Sequence, residues 1–531
     1  MLNVRHLISG VALVGAAGLA HTAGGCALVV GADFSERGEA SDAGVDPDAA
    51  TPEGGTCPDG SQPAAEDCST AQDDENCDGT PVCDGAAIHG GIFGNDNDQA
   101  EVRVIVAPDR SVYLALETIG SMDYGGSAIG TGNQQSIHIA KFTPTLEHVW
   151  SFTTQGSDFA HDLGDIVVDA SGNLVLVGSF LGTFTMGDVT FDRANERAAF
   201  VAKLDPTGPT GPKVLWVRDL RGQQERFGKS VTVAPDGGIV VVGWYRGSLV
   251  LHDGAVAAAA SDGADLYVVK YDAGGNVHWS RTFGGGGDQD ALGVDCGPDS
   301  EVVLVGLYRG GITLGAQSMQ GLSGGRESGF LVLLNKDGDY QRHRFFAGEA
   351  SSQAIDVVVE ASKRVLVTGY YQGDSLDFGQ GAGMPSAVEG LDAFLAAYQL
   401  DDLAPLWTES FGGQSEDIGF RIEKDTEGHV LLTGAATSTI QFSDGGMLHD
   451  TNARDGFVVK LDPSRPGGPG REIWSQLIGG EGAQTALDVA AGPLGEVYAV
   501  GYTGNWFPIA PSSTPEREVR ERDVWIAALR P

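Results

Sequence analysis

Four cysteines raise the first chemical question. Cys57, Cys68, Cys77 and Cys83 stand together in the stretch CPDGSQPAAEDCSTAQDDENCDGTPVCDG. In an exported chain an even cluster of this kind forms a disulfide staple, and four cysteines leave three connectivities open. Metal binding competes with that reading. Asp73, Asp74, Glu75 and Asp78 surround Cys77, and carboxylate oxygens suit hard cations. The C-x-x-C spacing of a zinc site is absent, so no metal is assigned. Cys296 lies by itself in an apolar run and reads as a buried thiol.

The other chemical patterns are weaker. GLSGG places Ser323 in a G-x-S-x-G context, but that nucleophile needs a strand-to-helix elbow, and Ser323 falls in a glycine-rich connection between strands. The glycine clusters beginning at Gly284 and Gly379 open no helix and make poor phosphate cradles. The 11 histidines show neither H-x-H nor H-E-x-x-H spacing. Neither a catalytic set nor a cofactor site can be assembled.

One series of polar residues remains. Asp98, Asp162, Arg226, Asp290, Gln353, Asp417 and Gln484 each stand shortly before an apolar run. If those runs are the first strands of a repeated sheet, the side chains ring one mouth of a central channel. An oxygen-rich rim of that kind suits a cation or a polyhydroxylated ligand. The competing role is capping, in which such residues satisfy turn amides at strand ends.

The elements that must position these residues come from a repeat of roughly 65 residues. Each unit opens with two apolar runs around a turn, as in IVVDASGNLVLVG, VTVAPDGGIVVVG and VDCGPDSEVVLVG. Asp, Pro, Ser and Gly preset the turn, so each pair is an antiparallel hairpin. The second run closes on Gly178, Gly243, Gly306, Gly369, Gly434 and Gly501, with Leu116 at that place in the first unit. A third strand follows, such as AAFVAKL, DLYVVKY or DGFVVKL. The fourth carries Trp150, Trp216, Trp279, Trp407 and Trp474, with Arg342 in the fourth unit; these indoles serve the core before they serve as sugar platforms.

Short antiparallel sheets repeated around a ring predict an all-β, seven-bladed β-propeller over residues 87–531. The seventh unit reaches Pro531 directly after its third strand. AIHGGIFGN supplies the missing strand, with His89 at the Trp place and Phe93 at the place of Phe283. Closing the ring in this way removes an exposed sheet edge.

The N-terminus gives an expected address. Residues 1–25 hold Arg5 and then LISGVALVGAAGLA, an apolar core of signal-peptide length and too short for a comfortable membrane span. Residues 26–56 are rich in Ala, Gly, Pro and acids, with Arg37 as their one base, and are expected to form a disordered acidic tether. Residues 57–86 form a small Cys-rich segment. A net charge of -39 excludes a phosphate-binding surface, so nucleic acid is not a partner.

Three resemblances sharpen these expectations. TAGGCA after the apolar core resembles the bacterial lipobox, with Ala23 where Leu is usual, and implies lipid attachment at Cys26. Ordinary cleavage after Ala20 is the alternative. AQDDENCDG resembles the Cys-Asp motif called a putative metal-binding motif in myxobacterial envelope proteins of the MopE type, present here once. The phrase D-x-F-V-V-K-L with W-S-x-x-F-G-G resembles the bacterial SBBP β-propeller repeat, whose members are mostly envelope or secreted proteins without an established common activity. The expected protein is a monomeric, membrane-tethered recognition or scaffold protein of the cell envelope. The resemblance favours the outer membrane, and leaves open which side the protein faces. Its partner would be an envelope protein or glycan, and it would need no cofactor. An envelope polysaccharide-acting enzyme, a hydrolase or lyase using rim carboxylates such as Asp162 and Asp290, is the second expectation. A purely structural envelope component is the third.

Overall fold

The computed structural model describes residues 85–531, apart from 96, 98, 133, 157–160, 260–262, 323–324, 349–350, 374–375, 380–389, 414, 438–439, 442–446, 449–453, 466–470, 480–481 and 505–522. The expected signal peptide, tether and nearly all of the Cys-rich segment lie outside the described residues. So do Cys26, Cys57, Cys68, Cys77, Cys83, Asp98 and Ser323.

Each repeat folds into one antiparallel sheet of four main strands, here called a to d, outward from the ring centre. In blade 1 these are Gln99–Val106, Val112–Ile119, Gln135–Phe142 and His148–Thr153. Strand a of blades 2 to 7 is His161–Val168, Arg226–Val233, Gln289–Cys296, Ser352–Val359, Ile418–Lys424 and Gln484–Ala491. The middle strands read as unbroken apolar runs because both faces of every sheet pack on a neighbouring blade. Ile239–Tyr245 and Asp265–Tyr271, strands b and c of blade 3, are buried at every position.

Blade 7 joins the two ends of the described chain. Its strand c, Asp523–Leu529, pairs antiparallel with Ala87–Phe93, which is its strand d. His89 faces Ala528 and Phe93 faces Val524, matching Trp279 against Lys270 and Phe283 against Leu266 in blade 3. The ring therefore closes in the register that the sequence implies.

The repeated phrase also contains two locks. The first is the strand c lysine. Lys203, Lys270 and Lys460 reach Asp169, Asp236 and Asp425 in the a–b turn of their own blade, at 2.7, 2.6 and 3.1 Å. Those aspartates also accept turn amides, as Asp169 does from Ser171 and Asn173. The second is the strand d tryptophan, which slides beneath the c–d turn of the next blade. Trp216 Nε1 donates to the Ala273 carbonyl at 3.2 Å and Trp279 Nε1 to the Lys336 carbonyl at 3.0 Å. The turn offers a glycine to the indole. A Cβ on Gly275 or Gly338 would stand 2.8 or 2.7 Å from the ring, and φ is +79° and +80° there. Trp474 lies against Gly85 just before the closing strand, so the closure seam repeats the glycine half of the lock.

Candidate functional site

The strands nearest the axis have an inner edge with no fifth strand to pair it, so their amides need another acceptor. Aspartates of the preceding blade supply it. Asp488 accepts from Val104 N at 2.9 Å, Asp165 from Val231 N at 3.3 Å, Asp356 from Ile422 N at 3.0 Å and Asp295 from Val359 N at 2.7 Å. Each carboxylate thereby staples one blade to the next.

Two arginines balance these acids. Arg421 Nη1 lies 3.3 Å from Asp356 and its Nη2 lies 4.0 Å from Asp165, while Arg103 Nε lies 3.8 Å from Asp165. Arg421 belongs to blade 6 and Asp165 to blade 2, so their contact spans the channel. Lys424 reaches past blade 5, where it donates to the Val359 carbonyl at 2.7 Å, to Asp295 of blade 4 at 3.4 Å. Burial pushes the Asp488 carboxyl up to about 6 against the pull of Arg103 and Arg421. Burial also works against the Arg421 charge, yet Asp165, Asp356 and Asp488 together hold its pKa above the ordinary value. The result is a charged lattice across the channel, costly to break because removing one member strands a buried charge.

Beyond the lattice the channel opens into a mouth of about 1210 Å³, to which the a–b turns of all seven blades contribute. Pro108, Pro235, Pro298 and Pro493 give it rigid walls, and Asp169, Glu360, Glu423, Asp425, Glu427 and Asp462 outnumber Arg364 and Lys424. Burial raises Glu423 to about 7, with Lys424 pulling the other way. Asp425, Glu427 and His429 bring their ligand atoms within 4.8 Å of one another. That trio is already committed to the turn. Asp425 accepts amides from Glu427 and His429, meets His429 Nδ1 at 3.1 Å and holds Lys460. Burial opposes the Asp425 charge, but the His429 hydrogen bond and Lys460 hold its pKa below the ordinary carboxylate value.

The residues expected to form a rim lie at the other end of strand a, and they do not share one register. Arg226 pairs with Tyr245 and Gln484 with Thr503, and Asp417 stands one residue before the Ile418–Ala435 pair. All three are fully buried and hold local groups. Arg226 donates to the Gln223 carbonyl at 2.6 Å, Asp417 accepts from Gly413 N at 2.8 Å, and Gln484 donates to Thr503 Oγ1 at 3.4 Å. Asp162, Asp290 and Gln353 sit one step further along, opposite Ser179, Leu307 and Tyr370. Successive strand residues point to opposite faces, so the two groups diverge.

Within the second group, Asp162 is ion-paired with Arg197 and Gln353 donates to Glu327, which also holds Arg309. Asp290 is different. It is 4% exposed, and neither of its carboxyl oxygens has a hydrogen-bond partner among the described residues. Burial raises it to about 7 against Lys229 and Arg309, helped by Asp288 and Glu327. The lattice residues were missed in the sequence. Their signal was a charged residue at one place in five of the seven strands a, at Arg103, Asp165, Asp356, Arg421 and Asp488, with Ser230 and Gly293 there in blades 3 and 4.

These sheets define the chain as a seven-bladed β-propeller. No family model and no curated protein sequence matches it. Among solved structures it is similar to a protein of unknown function from Dyadobacter fermentans, at 12% identity and TM-score 0.34 over 84% of this chain and 98% of that one. It is also similar to the Dos1 propeller, at 9% identity and TM-score 0.38 over 83% and 95%. A third similarity is to a quinohemoprotein alcohol dehydrogenase from Pseudomonas putida, at 9% identity and TM-score 0.37 over 83% and 76%. The fold assignment rests on the order of the seven sheets.

Proposed function

We propose that the chain is a membrane-tethered, extracytoplasmic recognition protein that binds an envelope protein or glycan through the mouth formed by its a–b turns. The observation that carries this reading is the mouth itself, about 1210 Å³ and lined from every blade. Its walls are preorganised, because Asx-type bonds and the strand c lysines fix the turns before any partner arrives. Binding of purified protein to isolated envelopes tests it. Glu427→Lys in the mouth should weaken sedimentation with envelopes about tenfold, whereas Glu225→Lys, near the start of strand a and away from the a–b turns, should not. Equal binding by both would overturn the mouth as the binding face.

The tether is supported by TAGGCA following an apolar core. A fatty-acid analogue should label the wild type and not Cys26→Ser, and equal release of both into the medium would remove lipid attachment. Two acyl chains would anchor the protein by roughly 0.8 kcal/mol per buried methylene.

A second reading is an envelope polysaccharide-cleaving enzyme. It is favoured by Asp290, whose pKa near 7 suits a general acid and which lies within the field of Glu327. Glycan turnover abolished by Asp290→Asn with the fold intact would select this reading over pure recognition.

A further inference from the structure

Resting on the mouth as the binding face, we propose that what it receives is a Lys- and Arg-rich segment of a partner protein and not a glycan. Size is the first ground. At about 1210 Å³ the mouth exceeds the roughly 300 to 1,000 Å³ of small-molecule sites, so it has room for a stretch of chain.

Charge selects the stretch. Six carboxylates line the mouth against one lysine and one arginine, and both cations are already engaged. Lys424 donates to the Val359 carbonyl at 2.7 Å and reaches Asp295 at 3.4 Å. Arg364 holds the Pro463 carbonyl and Glu360, each at 2.7 Å. Glu423 therefore gains little from Lys424, its neighbour in sequence, and Glu427 stands exposed near the tip of the blade 6 turn. The strand c lysines show the contact that a ligand would repeat. Lys203, Lys270 and Lys460 place ammonium groups on a–b turn carboxylates from inside the ring, and a partner's lysine would do so from outside. A cleft lined by one sign of charge also focuses its field and steers the opposite charge into it.

The walls agree with a basic segment. Pro108, Pro235, Pro298 and Pro493, with Ala361 and Ala491, offer apolar contact to the methylene stems of Lys and Arg. Among the described residues no Phe, Tyr or Trp lines the mouth, so a sugar ring finds no aromatic face there. Residues 27–84 of the chain hold Arg37 as their one base, so they do not supply the segment.

The test uses the full chain and acetyl-hexalysine amide, read by isothermal titration calorimetry. Wild type should bind one peptide per chain, and affinity should fall about tenfold between about 50 and 300 mM salt. Glu427→Lys should weaken binding about tenfold and Glu423→Gln several-fold. Glu225→Lys, the same change of net charge placed away from the mouth, should alter it less than about twofold. A hexamer of N-acetylglucosamine should not bind. Absence of saturable hexalysine binding, equal affinity in Glu427→Lys and Glu225→Lys, or binding of the sugar hexamer that Glu427→Lys removes would each overturn the basic partner. If Glu427→Lys loses sedimentation with envelopes while hexalysine fails to bind the wild type, the basic partner falls and the mouth stands as the binding face.

Discussion

The two seams that flank blade 4 are built from the same repeat and close their ends with different residues. Between blades 3 and 4, the turn end is locked by Trp279 on Gly338, with the indole N–H bonded to the Lys336 carbonyl. At its other end lies Asp290, buried and without a hydrogen-bond partner among the described residues. Between blades 4 and 5 both ends are closed, by different residues. The turn end has no indole, and Leu400 and Leu403 of the blade 5 turn pack there, with Arg344 Nε donating to the Leu403 carbonyl at 2.8 Å, while at the other end Glu327 joins Arg309 and Gln353. A repeat can thus close equivalent seams with different side chains, and the unpartnered Asp290 carboxyl is where titration chemistry is available.

The largest test asks whether the closure seam is a seam like the others. Residues 87–94 supply strand d of blade 7, and Trp474 meets Gly85 as Trp279 meets Gly338. Deleting residues 87–94 removes a whole strand ladder and bares the strand holding Trp525, which is fully buried. That loss should exceed the roughly 5 to 15 kcal/mol by which a domain is stable. Aggregation or collapse of the thermal midpoint is expected, and deleting residues 33–55 should change neither. A wild-type melt for the first deletion would show that the ring does not depend on its closure.

Next comes the lock itself. Trp279→Ala should cost about 3 to 5 kcal/mol in denaturant unfolding, the usual cost of emptying a buried aromatic site. Arg342→Ala, at the same place one blade later, should stay within about 0.5 kcal/mol because its side chain is exposed. Equal costs would mean that the two seams do not differ in the way described.

The glycine half of the lock separates backbone strain from crowding. Gly338→Ala brings a Cβ to 2.7 Å from the indole at φ +80°, and should cost about 1 to 3 kcal/mol. Gly172→Ala has a nearly identical φ of +79° but nothing within 4 Å, so it should cost less, about 1 kcal/mol from strain alone. If the two match, the indole is not what selects glycine at position 338.

Much of this was legible in the sequence, for a physical reason. Strands b and c are buried on both faces, and Val, Ile and Leu must recur there, so the phrase around Lys203, Lys270 and Lys460 repeats visibly. The Trp series and the substitute strand from Ala87 to Phe93 could be counted for the same reason. Strand a was harder to read. Its polar residues answer to the local seam and not to a shared requirement, so Arg103, Asp165, Ser230, Asp356, Arg421 and Asp488 occupy one lattice position with no common side-chain type. The rim series also mixed two faces: Arg226 stands 17 residues before Gly243 and Asp290 stands 16 before Gly306, so counting back from the closing glycine separates them. A slip of one residue decides which side chains meet.

The smallest expected effect concerns the incomplete end of the seam between blades 3 and 4, and it has an opposite-signed partner in blade 6. Burial raises Asp290 to about 7, against roughly 3.9 for the group in an unfolded chain. The unfolded state therefore releases this proton first. Stability from this site is fully present below about pH 4 and is lost as pH rises through 7. Lys229, Arg309, Asp288 and Glu327 all act on the group, and the two cations do not cancel the burial. Asp290→Asn should therefore be close to neutral at pH 4 and stabilising by about 1 to 2 kcal/mol at pH 8, with the gap opening between those values. Asp425 is held below the ordinary carboxylate value by His429 and Lys460, so its contribution is present above about pH 4 and lost as pH falls. Asp425→Asn should accordingly destabilise at pH 7, and the penalty should shrink in acid. Thermal midpoints of the two variants against wild type, measured from pH 4 to 8, should diverge in opposite directions as pH rises. Parallel curves would mean that Asp290 finds a partner in solution and that the seam between blades 3 and 4 is complete at both ends.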